Sequence, residues 1–263
     1  MRKESRLRHA KNQMKYLTGF MMAWGNFCIV PCPWRIWDDT SRKQMLAMLP
    51  VLGLLMGALW YGLAELLLWL CIPKMLSAAV LTVYPFFVSG FMHLDGYMDC
   101  CDAIFSRAPL EKKKQILKDS RVGAFAVIWV IVLFLMFFAS VYSFIEAGAS
   151  YMEFLIAAPV ISRAVGAGCI LKGRRLNVSQ YESLERGSGK QIIFIAVFAV
   201  LISAVCTAVT DIQVLVPLVL CAAAGIISCM RAARSLGGVN GDIAGYSIVW
   251  AECFAVIGAA VMF

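Results

Sequence analysis

Long apolar stretches with few charged residues recur along the whole chain. Of its 263 residues, 61% are hydrophobic and 15% are charged, whereas soluble domains are about 45–50% apolar and about 25% charged. In lipid every backbone polar group must be satisfied internally, so such stretches fold as helices. The sequence therefore predicts an all-α fold, a polytopic transmembrane helical bundle in one integral-membrane domain over residues 1–263. Seven stretches are long enough to cross a bilayer: 45–71, 75–92, 122–145, 154–171, 191–210, 212–230 and 243–263.

Lys and Arg are concentrated in a few segments. Of the 24, 22 fall in a basic N-terminal segment, 1–44, and in three loops of the bundle (45–263), namely 93–121, 172–190 and 231–242. With seven spans these segments share one side. The positive-inside rule then puts them and the N-terminus in the cytoplasm and the C-terminus outside. We expect a multi-pass protein of the cytoplasmic membrane whose active-site loops face the cytoplasm.

The segment 16–34 is apolar and uncharged but is interrupted by Asn26, Pro31 and Pro33. Basic residues flank both of its ends, and a span here would put the first six of them outside. We expect an interfacial or re-entrant element. A signal peptide or an eighth span are the alternatives.

Net charge and cysteine content argue against two further properties. The formal net charge of +8 reflects topology, and no basic surface is interleaved with stacking aromatic residues, so we expect no nucleic-acid partner. The ten cysteines lie mostly in apolar spans, where cysteine behaves as a small buried hydrophobe. We therefore expect no disulfide framework.

Three carboxylates stand close together in the sequence after the second apolar stretch. Asp95, Asp99 and Asp102 are spaced i, i+4 and i+7, so a helix here would put all three on one face. At an effective dielectric of about 20 and a separation of roughly 5.5 Å, each adjacent pair repels by about 3 kcal/mol. Clustered hard oxygen ligands suit Mg²⁺, Mn²⁺ or Ca²⁺. The pattern predicts a divalent metal site at a membrane surface.

His93 precedes Asp95 by two residues and should point elsewhere on the helix. It is a candidate ligand, proton donor or hydrogen-bond orienter, although a lone histidine is more often structural. The alternative for the whole cluster is a solvated helix end that pairs with the nearby lysines Lys112, Lys113, Lys114 and Lys118.

Residues 118–123 precede the third span. Asp119 or Ser120 can cap that helix, and the helix N-terminus is suited to anions. Arg121 could hold a phosphate with its planar fork. A capped helix with a snorkelling arginine is the alternative.

A glycine-rich loop, 237–242, precedes the last span. Gly238, Asn240 and Gly241 allow a ligand to approach the backbone closely, and a helix start next to Asp242 again suits phosphate. Gly-Gly and Asn-Gly are also ordinary turns. The loop is informative because it shares a membrane face with the other two motifs.

Glu65, Arg163 and Glu252 lie inside apolar spans. A charge there costs about 2.5–3.5 kcal/mol on insertion scales, so each is a functional candidate. Arg163 and Glu252 could instead form a structural ion pair.

Together these motifs resemble the cobalamin synthase family, also called adenosylcobinamide-GDP ribazoletransferases. The resemblance covers most of the chain and keeps motif order and spacing. Two differences are Ala103, where the family often has Gly, and Asn240, where it often has Thr; the loop 172–190 matches poorly. The matching elements are the stretch from Phe27 to Pro33, the Pro50/Gly53/Gly57 span, His93–Asp102, Asp119–Gly123, Ser162-Arg163, and Gly237–Asp242 with Glu252.

The resemblance implies a reaction with adenosylcobinamide-GDP and α-ribazole, or its 5′-phosphate, as substrates. GMP leaves, and adenosylcobalamin or its 5′-phosphate forms, with attack expected from the 5′-oxygen of the nucleoside. It implies Mg²⁺ dependence, which agrees with the carboxylate cluster. The sequence leaves open a homo-oligomer or association with other cobalamin-assembly enzymes.

The resemblance also implies roles for individual residues. Asp95, Asp99 and Asp102 would hold one or two Mg²⁺ ions on the diphosphate, and Asp242 would complete the site or orient the attacking hydroxyl. Four further residues have weaker assignments. Arg121 and Arg163 would neutralise phosphate oxygens, and His93 or Asp119 would act as base.

Three other functions fit parts of the pattern. A CDP-alcohol phosphotransferase also uses spaced aspartates, in a pattern that starts Asp-Gly-x2-Ala-Arg. The stretch from Asp95 lacks the Ala-Arg, and its third Asp comes too soon. A cation or corrinoid transporter would place its carboxylates nearer the middle of the membrane. A membrane scaffold for other enzymes would not need the aspartate cluster.

Overall fold

A computed structural model of the chain describes residues 2–148, 152–174, 176 and 189–262, with side chains described from residue 14 onward. Apart from two single-turn 3₁₀ segments, the regular elements among these residues are α-helices, which confirms the predicted all-α fold. They are α1 (Arg2–Phe27), α2 (Arg42–Trp69), α3 (Lys74–Val88), α4 (Met92–Phe105), α5 (Leu110–Ile116), α6 (Ala124–Glu146), α7 (Phe154–Lys172), α8 (Gly189–Val209), α9 (Leu215–Leu236) and α10 (Gly241–Met262).

Six of the described helices are each long and apolar enough to cross a bilayer, and the pair α3 and α4 meets the same test only when taken together. Lys74, at the start of α3, forms an ion pair with Glu146 at the end of α6, 3.3 Å away. Asp102, near the end of α4, accepts a hydrogen bond from the backbone N–H of Gly123, just before α6, at 2.7 Å. The α3–α4 pair therefore connects the two ends of α6. Counting this pair as one crossing gives the seven spans expected from the sequence.

The second span, predicted over 75–92, is helical as α3 only as far as Val88. Gly90 and Phe91 both have positive φ, 62° and 60°, and this left-handed backbone follows the end of α3. The chain then turns by 88° into α4. The bend could not be predicted, because a left-handed phenylalanine is not foreseeable from local propensity. The bend is what brings the acidic helix to its place in the bundle.

The segment 16–34 is helical in its first part. Residues up to Phe27 belong to α1, and the remainder is non-helical. Met22 and Ala23 are buried, packed in a cluster with residues of α2 such as Leu46. The expected interfacial or re-entrant element is therefore a helix docked on α2 followed by a non-helical stretch, and it is not among the candidate spans.

Helices α2 and α7 pack with their backbones almost in contact. A Cβ built on Gly53 would lie 2.4 Å from the carbonyl oxygen of Pro159, and one on Gly57 would lie 2.4 Å from that of Ile156. No other residue fits at these positions without separating the helices. The four-residue glycine spacing is therefore a packing feature, as the sequence indicates.

The buried charges at the centre of the bundle pair with each other. Arg163 of α7 and Glu252 of α10 form an ion pair in which both side chains are almost fully buried. Ser162 donates a hydrogen bond to the same carboxylate at 2.9 Å. This confirms the structural ion pair as the role of these two residues in the fold. Glu65, the third candidate, is exposed on α2.

The cysteines depart from expectation at one place. Cys169 of α7 and Cys229 of α9 are joined in a disulfide, although both belong to apolar spans. Five of the other cysteines are buried as free thiols, which agrees with their expected role as small hydrophobes. Packing between α7 and α9 brings the one pair together.

Three sets of contacts gather the loops between helices on one face of the bundle, here called the loop face. Lys113 of α5 donates to the hydroxyl of Ser235 near the end of α9 at 2.7 Å. The backbone of Val239 pairs with Arg174 and Leu176 after α7. These contacts, and that of Asp102 near the start of α6, place the motif-bearing loops together. The rest of the loop 172–190, residues 175 and 177–188, lies outside the described residues.

Candidate active site

The site is built on a close crossing of α4 and α10. A Cβ on Gly96 would lie 2.8 Å from the Cα of Asp242, and one on Gly245 would lie 3.1 Å from the carbonyl oxygen of His93. Small residues at both positions therefore let the two backbones touch. The crossing places the acidic face of α4 beside Asp242 at the start of α10.

Three carboxylates converge at this crossing: Asp95, Asp99 and Asp242. Asp95 is exposed, while Asp99 and Asp242 are partly buried. Asp99 lies within electrostatic reach of both of the others and of Asp102, and Asp242 is coupled to Asp95. Among the described residues, no Lys, Arg or His forms an ion pair with any of the three. The alternative, pairing with nearby lysines, is not observed among the described residues, and one of those lysines, Lys114, bonds Glu111 instead.

The donor set of this carboxylate cluster fits a hard divalent cation, because all the converging groups are carboxylate oxygens. In the part of the chain that the structure describes, no three His, Cys, Asp or Glu side chains are already gathered closely enough to hold a metal ion. Mg²⁺ is usually held by one or two carboxylates together with substrate phosphates and water. The arrangement therefore fits a cation that arrives with a phosphorylated substrate better than a closed protein cage.

Asp102 has a different role from the other aspartates in this structure. Its carboxylate accepts hydrogen bonds from the backbone N–H groups of Gly123 at 2.7 Å and Ala126 at 2.9 Å. These are unpaired amides at the N-terminus of α6, so Asp102 caps that helix from a distant part of the chain. The prediction that Asp119 or Ser120 caps α6 is therefore wrong.

Gly123 is needed for this cap. A Cβ at Gly123 would lie 2.5 Å from Oδ1 of Asp102, so a larger residue would push the carboxylate away. Asp102 was expected to be a metal ligand, but both of its carboxylate oxygens already accept hydrogen bonds at the start of α6. We therefore assign Asp102 to positioning α4 against α6.

Asp119 and Arg121 form an exposed pair before α6. The guanidinium of Arg121 donates to both oxygens of Asp119, at 3.0 Å from Nε and 2.7 Å from Nη2. These hydrogen bonds hold the pKa of Asp119 well below its usual value, at about 2. A carboxylate with so low a pKa is a weak base, so the expected base role of Asp119 finds no support. Arg121, with a side chain 86% exposed, remains accessible to an anion.

His93 lies at the start of α4 but is buried, only 9% exposed. Its ring stacks on Phe27 of α1, with centroids 6.2 Å apart, and none of the described residues hydrogen-bonds to the ring. It therefore faces α1, which agrees with the expectation that it points away from Asp95. This environment favours a packing role over that of a base.

Asn240 caps α10 and holds Asp242 in place. Its Oδ1 accepts from the backbone N–H of Ile243 at 3.0 Å, and its Nδ2 donates to Oδ2 of Asp242 at 2.5 Å. Gly237 ends α9 with φ of 81°, which a glycine adopts without strain. The loop that contains Gly238 and Gly241 thus positions Asp242 at the crossing of α4 and α10.

Arg163 is not positioned to contact phosphate at this site. Its side chain is 2% exposed and its guanidinium is engaged by Glu252 and Ser162. It lies close enough to His93 to act on it electrostatically. The expected phosphate role of Arg163 is therefore replaced by the buried ion pair.

A polar cleft of about 620 Å³ opens beside the carboxylate cluster. Asp242 and Asn240 form part of its lining, and three cationic side chains, Lys114, Lys118 and Arg174, line it too. The sequence motifs did not indicate any of these three cations as a ligand-binding residue. Lys114 and Lys118 were considered only as partners of the aspartates. The available signal was that α5 and the loop after α7 are both basic and predicted on the same face as Asp242.

Comparison with known proteins identifies the family. A family described as cobalamin-5-phosphate synthase matches residues 19–260. A protein of Clostridium perfringens (strain 13 / Type A) named adenosylcobinamide-GDP ribazoletransferase is 36% identical, over 88% of this chain and 92% of its own. A protein of the same name from Clostridium botulinum (strain Alaska E43 / Type E3) is 34% identical, over 92% of this chain and 96% of its own. No solved structure matches this chain.

Proposed function

The chain belongs to the cobalamin-5-phosphate synthase family, and from that premise we propose how the carboxylates at the α4–α10 crossing serve the family's reaction. It is an adenosylcobinamide-GDP ribazoletransferase, as its curated relatives are named. It joins the corrinoid to ribazole in cobalamin synthesis, with adenosylcobinamide-GDP and α-ribazole or its 5′-phosphate as substrates. GMP is the leaving group. This identity displaces the CDP-alcohol phosphotransferase and transporter alternatives.

One observation supports the proposed metal site most strongly. Asp95, Asp99 and Asp242 lie together, and no described Lys, Arg or His side chain forms an ion pair with them. These carboxylates would hold Mg²⁺ at the diphosphate of the donor substrate. When bound, the metal ion neutralises charge on the diphosphate oxygens. Phosphoryl transfer needs positioning and charge neutralisation more than covalent chemistry. A cluster of this kind at the edge of a polar cleft meets that requirement.

The remaining roles follow from where each side chain lies. Asp242, held by Asn240, borders both the carboxylate cluster and the cleft. It is the residue best placed to orient the attacking hydroxyl and accept its proton. Arg121 is accessible and would neutralise a phosphate oxygen by exchanging its contact with Asp119 for one with substrate.

The attacking atom differs from the one expected from the sequence. The family is described as forming a cobalamin 5-phosphate, so its product keeps a phosphate at that position. An acceptor that carries a 5′-phosphate has no free 5′-hydroxyl, and attack from the 5′-oxygen is excluded for it. A secondary hydroxyl of the ribose must attack the phosphorus on the cobinamide side, and GMP departs with the electrons of the broken P–O bond.

We further propose that the loop face lies on the cytoplasmic side of the cell membrane. The basic residues concentrated in the loops support this orientation by the positive-inside rule. Both substrates are charged and polar, which fits a site open to the aqueous side. A homo-oligomer or association with other cobalamin-assembly enzymes remains a prediction from the sequence.

A turnover assay on membranes that contain the protein tests this function. Adenosylcobinamide-GDP, α-ribazole or its phosphate, and Mg²⁺ are supplied, and GMP and cobalamin are quantified by chromatography. We expect equimolar GMP and cobalamin product, and loss of both after chelation with EDTA. Inserted, folded protein that forms no product would overturn the function, and turnover that survives EDTA would overturn the metal assignment.

A further inference from the structure

The polar cleft beside Asp242 has a volume suited to a small molecule. It measures about 620 Å³, within the roughly 300–1,000 Å³ typical of pockets for small molecules. A corrinoid is much larger than a drug-sized ligand, so the cleft cannot enclose the donor substrate. A nucleoside phosphate is of suitable size.

The charges in the cleft point to an anionic ligand. Lys114 already bonds Glu111 at 2.8 Å. No described carboxylate forms an ion pair with Lys118 or Arg174, the other two cations of the lining. Lys118 belongs to the turn after α5, and Arg174 follows α7, so the two approach the cleft from different elements. Gln115 and Asn240 add neutral hydrogen-bonding groups suited to a nucleoside.

The backbone keeps Arg174 at the cleft. Its carbonyl oxygen accepts a hydrogen bond from the N–H of Val239 at 2.7 Å, and the N–H of Leu176 donates to the carbonyl oxygen of Val239 at 3.1 Å. This pairing ties the end of α7 to the loop that delivers Asp242. A ligand gripped by Arg174 would therefore be held at a defined distance from the carboxylate cluster.

We propose that this cleft binds the phosphorylated ribazole acceptor, with Lys118 and Arg174 holding its 5′-phosphate. The inference rests on the proposed function and adds residues that select the acceptor. Asp242 lies where the cleft meets the carboxylate cluster, so a nucleotide seated by its phosphate would direct its ribose toward the reacting phosphorus. Lys118 and Arg174 would then make the phosphorylated nucleoside the preferred acceptor over free ribazole.

The test compares two acceptors on the same membranes. We would measure kcat/KM for α-ribazole 5′-phosphate and for α-ribazole in wild type, Lys118→Gln and Arg174→Gln. Each substitution should lower kcat/KM for the phosphorylated acceptor by about tenfold, since hydrogen bonds to charged groups contribute more than neutral ones. Values for free ribazole should change less than about twofold.

Two further variants separate charge from structure. Lys112→Gln removes the same charge from α5 at an exposed position outside the cleft lining, and should leave both acceptors unaffected. Lys118→Arg keeps the positive charge and should restore most of the preference. The KM for adenosylcobinamide-GDP, measured in parallel, should stay constant in all variants.

Each outcome has a distinct meaning. Equal losses for both acceptors with a raised KM for the donor would overturn the inference and place the guanosine phosphates in the cleft. Equal losses with an unchanged donor KM, or no loss at all, would also overturn it. Conversion of at least one acceptor by the wild-type protein shows independently that it is the transferase, whereas failure with both acceptors would count against the proposed function instead.

Discussion

Helix α10 contributes to two groups of charged side chains. In one group the protein supplies a counter-charge, and in the other the described residues supply none. Near the middle of the helix, Glu252 pairs with Arg163 and also accepts from Ser162, so the chain supplies its own cation. Near its start, Asp242 meets Asp95 and Asp99, and no described Lys, Arg or His pairs with them. The two groups are ten residues apart, about 15 Å along the axis.

This difference separates a structural charge from a functional one. A buried pair that is internally balanced can be explained by packing alone, and replacing it with apolar residues is often neutral. Converging carboxylates without a counter-charge repel one another and are relieved only by a ligand or by protonation. The contrast indicates that the start of α10, and not its middle, is the place where chemistry occurs.

The largest expected effect on activity is that of Asp95→Asn. Turnover should fall by about 10²–10³-fold, because the substitution removes a carboxylate that would hold the metal ion neutralising the diphosphate. Unfolding temperature should stay constant or rise, since repulsion within the cluster decreases. Initial rates and thermal unfolding in detergent measure both quantities. Asp211→Asn, an identical change in a loop far from the site, is the control, and a similar rate for the two variants would contradict the assignment.

The buried pair should respond in stability. Glu252→Gln leaves the guanidinium of Arg163 buried without a full counter-charge, which should lower the free energy of unfolding by about 3 kcal/mol. The double variant Arg163→Met/Glu252→Leu should recover most of that loss, because no unpaired charge remains. Thermal unfolding of the purified proteins checks this. A single variant as stable as wild type would show that the pair does not stabilise the fold.

Arg121→Gln should affect activity without affecting stability. Its pair with Asp119 is exposed, and exposed pairs contribute little to folding, so the unfolding temperature should not shift. If Arg121 neutralises phosphate, kcat/KM for the donor should fall about tenfold. The opposite pattern, with stability lost and kinetics intact, would remove Arg121 from the site.

The smallest effect should come from Asp102→Asn, which tests the division among the aspartates. The N–H groups of Gly123 and Ala126 bond different oxygens of Asp102, and Asn has only one oxygen to accept either of them. One cap bond should be lost, so stability should fall by about 1 kcal/mol. Turnover should fall less than about tenfold. A loss as large as that for Asp95→Asn would return Asp102 to the metal ligands.

Local spacing predicted part of this site correctly. Asp95 and Asp99 are four residues apart, and the structure places both on a helix with the acidic face that this spacing requires. The glycines at positions 96 and 245 allow close contact of the two backbones, but this role is visible only once α4 and α10 cross. Helix spacing applies within one element, so it could not show that Asp102 caps α6.

Other features depend on contacts between distant parts of the chain. The bend after Val88 arises from left-handed backbone at Gly90 and Phe91, and phenylalanine carries no signal for that conformation. The cleft brings Lys118 together with Arg174 because Val239 pairs with the chain after α7. Burial of Arg163 requires Glu252, 89 residues away in the sequence. The sequence indicated this ion pair as an alternative, but it indicated neither the bend nor the cleft.

Metal affinity tests the central claim most directly. Binding of Mn²⁺, a spectroscopically visible substitute for Mg²⁺, would be measured by electron paramagnetic resonance in the presence of GMP for wild type, Asp99→Asn and the Arg163→Met/Glu252→Leu variant. We predict that Asp99→Asn raises the Kd at least about tenfold, the equivalent of roughly 1.4 kcal/mol, and that the double variant binds as wild type does. Equal Mn²⁺ affinity in wild type and Asp99→Asn would contradict the claim that these carboxylates hold the metal.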